Sequence, residues 1–169
     1  MMLTVAVLAP ANASTLQSTR DQSQLITRYT GPQSEWARVF IDGHTQGASV
    51  GDTVVHNAPQ YLKRSDASND TQRQGYFFAT YLMVSQGTVI QGENFWQASG
   101  SSYLPGGRID WQGLVKVRAH PDLSEKGRTH TVSIVGGTKK YSGARGTLKL
   151  TKLGEGLGAN WRMRYEVTF

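Results

Sequence analysis

The chain has 169 residues, no cysteine, 19 glycines, and 18 Lys and Arg against 12 Asp and Glu, a formal charge of +6. That length supports one domain whose core needs neither metal nor disulfide. Without cysteine there is no disulfide framework, thiolate cluster, cysteine nucleophile or redox pair. Only 18% of residues are charged and glycine is abundant, which disfavours long helices and favours turn-rich β structure. Basic residues never run longer than two. The nearest approach to a nucleic-acid stripe is Arg162-Met163-Arg164-Tyr165, and it reads as the solvated face of a strand.

Taken in order, Met1 to Ala13 carries an apolar stretch from Leu3 to Ala9 followed by Ala11-Asn12-Ala13, a small-x-small cleavage pattern. Residues 1–13 therefore read as a signal peptide and the protein as secreted or exported; the missing basic flank keeps a cytoplasmic location as the alternative. Residues 14–24 are a polar leader, and the folded domain is expected over 25–169. No other stretch approaches the roughly 20 apolar residues of a membrane span.

From there, short segments rich in Val, Ile, Thr, Tyr, Phe and Trp alternate with Gly, Asp, Asn, Ser and Pro clusters. Strands are predicted at 24–30, 50–57, 73–84, 88–98, 108–117, 129–135, 146–153 and 160–169, with a short turn at 35–40. Eight is the number that closes a small antiparallel barrel. The fold predicted is all-β, an up-and-down, calycin-like barrel. The last segment is the clearest: Trp161, Met163, Tyr165, Val167 and Phe169 alternate with Arg162, Arg164, Glu166 and Thr168, so one face is buried. Segment 108–117 repeats the pattern with Ile109, Trp111, Val115 and Val117. Gly136 and Gly137 end an apolar strand where a sharp reversal suits glycine, and Ala144 and Gly146 let the returning chain pack closely. His44, His120 and His130 have no ligand-like spacing, and no metal site is expected.

Three segments resemble the allene oxide cyclase and dirigent superfamily of small barrels. They are Val50-Gly51-Asp52-Thr53-Val54-Val55-His56-Asn57-Ala58-Pro59-Gln60-Tyr61, Gly107-Arg108-Ile109-Asp110-Trp111-Gln112-Gly113, and the Gly-Gly-Thr turn from Val132 through Gly136-Gly137-Thr138 to Gly146. The resemblance covers the domain and implies a cofactor-independent protein. Such a protein binds a hydrophobic reactive intermediate in an aromatic cavity and controls the stereochemistry of its cyclisation or coupling.

Carried over by position, the resemblance implies a lumen lined by Phe77, Tyr81, Asn94, Trp96, Trp111, Val115, Trp161, Met163 and Tyr165; the alternative is a core that these side chains fill completely, as an eight-stranded interior allows. Asn57 stands for the cyclases' water-holding asparagine. Arg145 stands for an arginine that in dirigents is a candidate to point into the pocket; here it either does so or only caps the barrel rim. Asn94 and Tyr29 complete the candidate catalytic set with His56, a general base near neutral pH if it faces inward. Strand alternation admits only one of His56 and Asn57 to the lumen, and Asn57 is preferred. The first strand lacks the cyclases' glutamate, and Phe77 and Val115 replace their cysteine and tyrosine, so the expectation is a cyclase-like or dirigent-like isomerase other than an allene oxide cyclase. The alternative is a non-catalytic binding or interaction protein for a lipid, pigment or protein partner. The resemblance further implies a homodimer or homotrimer, with Tyr76, Phe78 and Leu82 facing outward.

Overall fold

The computed structural model describes residues 22–31, 37–42, 49–67, 69–85, 94–117, 126–155 and 160–169. The expected signal peptide, and the leader as far as residue 21, lie outside them. Nine strands follow one another: β1 (Ser23–Thr30), β2 (Ala37–Ile41), β3 (Thr53–Tyr61), β4 (Arg73–Ser85), β5 (Asn94–Leu104), β6 (Gly107–Val117), β7 (Thr129–Gly137), β8 (Arg145–Lys152) and β9 (Trp161–Thr168). The leader's last two residues therefore belong to β1.

From β3 to β9 each strand pairs antiparallel with the next. β1 pairs with β9 along its length and with β3 at Tyr29–Tyr61 and Thr30–Gln60, which closes an eight-stranded barrel. β2 is an additional strand that covers the part of β3 that β1 does not reach, from Ala37–Asn57 to Ile41–Thr53. An uncovered β edge is a pairing hazard, so its occupation is physically reasonable. The sequence suggested a turn here because Ala-Arg-Val-Phe-Ile has no alternation, and Val39, Phe40 and Ile41 are indeed all exposed.

Two strand bounds differ from expectation for identifiable reasons. β3 continues past Asn57 through Pro59, a residue that normally argues against a strand. Pro59 sits at the seam between the reaches of β2 and β1: its carbonyl accepts from the Gly31 N–H at 3.2 Å, so its missing N–H points into the same gap. β5 continues from Ala98 through Ser99-Gly100-Ser101-Ser102 to Leu104, paired residue for residue with β6. That polar, flexible-looking run is held by Ser101 Oγ donating to Asp110 at 2.6 Å and by Trp111 packing against Gly100. Residues 88–93, also expected in this strand, lie outside the described residues.

The Gly-Gly-Thr turn is used differently from expectation. Gly137 is required for space, because a Cβ there would meet the carbonyl oxygens of Tyr141 and Arg108. The chain's reversal falls later, at Lys139 with φ 53° and Gly143 with φ 79°. Between them, the single turn Lys139–Tyr141 buries Tyr141 across one end of the barrel, its hydroxyl donating to the Pro105 carbonyl at 3.3 Å.

Inside, alternation delivers one continuous core from all eight barrel strands. Small inward residues, Ala58, Ala79, Ala98 and Gly113, stand among Trp96, Trp111, Tyr81 and Met83, the large-and-small mixture that fits side chains into a narrow barrel. Outside, Arg162 and Arg164 project from β9 as expected, and Glu166 between β8 and β9 takes Lys149 at 3.0 Å and Arg164 at 3.3 Å.

Candidate functional site: the barrel interior

The walls are aromatic. Phe77 on β4 stacks on Trp111 of β6 with ring centroids 5.1 Å apart and planes 8° from parallel. His56 on β3 approaches Phe77 at 5.9 Å and Tyr81 at 5.3 Å. Trp96, Val115, Met163 and Tyr165 are also buried on inward faces, and Asn94 is buried at the start of β5. Trp161 lies on the inward face of β9 but is only partly buried, its ring 6.1 Å from His130. All eight residues assigned to the lining, together with Asn94, are thus on the lumen side.

Three of the expected catalytic residues are not. The preference for Asn57 over His56 is reversed. β3 takes its inward phase from Val54, Ala58 and Gln60, which puts His56 inside at 5% exposure. Asn57 then faces outward, where its side-chain oxygen accepts from the Ala37 N–H at 3.3 Å and ties β2 in place. Arg145 is exposed on the rim at the start of β8, donating to the carbonyls of Val135 and Ala144, each at 2.8 Å. The inward position beside it belongs to Gly146, whose Cβ would meet the Glu166 carbonyl. Tyr29 shares the outward face of β1 with Leu25 and Thr27.

The interior also contains polar groups that sequence reasoning passed over. Near the end covered by Tyr141, Gln60 (0% exposed) donates through Nε2 to the Tyr165 hydroxyl at 2.8 Å, and Ser102 Oγ lies 2.7 Å from the same hydroxyl. Burial pushes the Tyr165 phenol up to about 12, opposed by its hydrogen bonds and by Arg28, so at neutral pH it stays protonated. Arg28 follows Ile26 and precedes Thr30 on the inward face of β1. Lys152 (1%) and His130 are buried on the inward faces of β8 and β7. Burial and the Arg128 charge hold the His130 imidazole down at about 4. The sequence signal for Arg28 is its parity, since it stands between Ile26 and Thr30, both buried on the same face of β1.

Several buried polar atoms inside make no hydrogen bond, among them Gln60 Oε1, Trp111 Nε1 and Arg28 Nε. Buried polar atoms are normally satisfied, so these three are exceptions to the usual rule. Asp52, the buried carboxylate at the start of β3, is already engaged by the Ser49 N–H and hydroxyl, both at 2.8 Å. Among the described residues no three His, Asp or Glu side chains cluster as a metal site. A separate groove of about 500 Å³ lies on the outer wall, lined by Val39, Val55, Asn57, Phe78, Thr80 and Ser99.

This architecture has solved counterparts, although no family model and no curated protein sequence matches the chain. A pterocarpan synthase dirigent protein matches with a TM-score of 0.66 at 14% identity, over 96% of this chain and 98% of its own. An exo-specific intermolecular Diels-Alderase matches at 0.65 and 14%, over 89% of this chain and 99% of its own. A pyocyanin demethylase matches at 0.59 and 16%, over 83% and 98%. The protein is a closed antiparallel barrel of the fold that dirigent proteins and Diels-Alderases share.

Proposed function

We propose that the barrel interior binds an apolar, conjugated small molecule and holds a reactive intermediate in one conformation, so that its ring closure or coupling follows one stereochemical course. The observation that carries this is the combination, on one inward surface, of stacked aromatic walls with unspent buried polar atoms. A filled structural core has no use for Trp111 Nε1 or Gln60 Oε1 without partners, whereas a ligand chamber needs a few convergent polar groups on an apolar lining. The likeness in fold to dirigent proteins and Diels-Alderases agrees with such chemistry.

The groups present suit orientation rather than covalent catalysis. Phe77 and Trp111 offer a flat face against which a conjugated chain can lie. The Trp111 N–H is a fixed donor that can polarise a ligand carbonyl, and a preorganised donor in a water-poor site is worth more than one in solution. His56, between Phe77 and Tyr81, is placed to take or give a proton. Restricting the reacting ends to one near-attack geometry supplies much of the acceleration such reactions need. No cofactor is required for these steps.

The test joins native mass spectrometry with chiral chromatography, using a panel of aromatic and polyene compounds and an internal diene–dienophile substrate. Retention of one molecule per barrel and an enantiomeric excess that Trp111→Ala abolishes are expected. Retention with racemic product would replace this reading with the non-catalytic binder. Failure to retain any compound would overturn it.

A further inference from the structure

We propose that the chamber's Tyr141-covered end is an acid-recognition floor built on Arg28, so that its ligand is an apolar molecule whose polar end carries an acidic oxygen, a carboxylate or an enolate. The inference rests on the small-molecule reading above and names the class of molecule.

Arg28 is on the inward parity of β1, opposite the buried Met163 of β9. One of its terminal nitrogens, Nη1, is used locally, donating to the Thr27 carbonyl at 2.8 Å. Its Nε is buried and makes no hydrogen bond, and among the described residues no carboxylate pairs with the guanidinium. Arg28 as a whole is half-buried, and a cation partly withdrawn from water gains from an anion that meets it. Its charge is felt by the hydroxyls of Tyr165 and Tyr141, where it opposes the rise that burial causes in both. The same floor carries the Gln60–Tyr165–Ser102 hydrogen-bonded group; its unspent atom, Gln60 Oε1, is an acceptor that would take a ligand hydroxyl or N–H, which leaves the acidic oxygen to Arg28. An acidic oxygen seated there would receive the guanidinium N–H, the strongest kind of neutral-pH donor for it. The apolar remainder of the ligand would extend toward Phe77 and Trp111.

The experiment uses two probes with one ring system, 2-naphthoate and the neutral 2-naphthalenemethanol, titrated calorimetrically into the full chain and into Arg28→Met and Arg28→Lys. In the natural protein the carboxylate is expected to bind about tenfold more tightly than the alcohol, the usual scale of a charge-assisted contact. Arg28→Met should bring the two to near equality, chiefly by weakening the carboxylate. Arg28→Lys, which keeps the charge and guards against a folding defect in Met, should retain part of the preference. Equal binding of the two probes by the natural protein, or a preference that survives Arg28→Met, overturns the acid floor and leaves the chamber standing. Binding of neither probe overturns the chamber as well.

Discussion

The Tyr165 hydroxyl on the last strand accepts a 2.8 Å hydrogen bond from the Gln60 amide on the third, across 105 positions of sequence. Both side chains are fully buried, and Ser102 of β5 lies 2.7 Å from the same oxygen. Three strands that are not neighbours in the sheet are therefore joined through the lumen. A hydrogen bond of this kind adds stability and fixes the inward rotamers that shape the floor.

Tyr165→Phe leaves Gln60 Nε2 and Ser102 Oγ buried with a partner removed. Stranding buried polar groups costs about 1–3 kcal/mol, so the urea midpoint should fall with an unchanged slope. Ser102→Ala, which leaves Tyr165 bonded to Gln60, should cost less. A Tyr165→Phe protein as stable as the parent would mean that Gln60 and Ser102 are satisfied by other groups once the hydroxyl is gone, Met163 Sδ at 2.9 Å from Gln60 Nε2 being one.

His56 and Asn57 make the second prediction, because adjacent positions in a strand face opposite ways. His56→Ala removes a ring from contact with Phe77 and Tyr81. Loss of one aromatic contact is worth about two- to tenfold in affinity, to be read with 2-naphthalenemethanol by calorimetry. Asn57→Ala and Arg145→Ala should leave that affinity unaltered, since both side chains lie outside the lumen. An effect of Arg145→Ala equal to that of His56→Ala would contradict the assignment.

The barrel was legible because period-two alternation in β6 and β9 depends only on which face is buried, and Trp111, Val115, Met163 and Tyr165 report that face directly. The phase of β3 was not legible in the same way. Val54-Val55-His56-Asn57-Ala58 has an apolar residue on both parities, and the inward one is decided by pairing of His56 with Ala79 on a neighbouring strand. β2 lacked any signal of its own, since it exists to cover the edge of β3. Long basic side chains usually stand on an outer face, so only the closed barrel shows that the parity of Arg28 and Lys152 points inward.

Gly100 provides the third prediction. A Cβ at this position would run into the Phe78 carbonyl oxygen and the six-membered ring of Trp111. Both neighbours would have to give, the carbonyl by a shift of the paired strand β4 and the indole by a move that disturbs its stacking on Phe77. Gly100→Ala should destabilise by about 1–3 kcal/mol, the cost of overpacking a closely packed stretch of wall. Because the displaced ring is a buried tryptophan, the near-ultraviolet circular dichroism should change with it. A stable variant with an unaltered aromatic spectrum would show that the wall between β4 and β6 has slack.

His130 supplies a prediction about acid. Its imidazole is held at about 4 in the fold by burial and by Arg128, against 6.5 for the ordinary group. As pH falls the unfolded chain therefore takes up the proton first, and the fold loses stability progressively from about 6.5 down to about 4. The full loss is about 3 kcal/mol, two and a half pKa units at the usual conversion. His130→Phe keeps an aromatic ring beside Trp161 and removes the titration. Denaturation midpoints measured between pH 7.5 and 4.5 should decline less steeply in the variant, while the contribution of carboxylates, common to both proteins, cancels in the difference. Parallel declines would show that His130 is protonated in the fold, and that the barrel near Trp161 is wet enough to hold its charge.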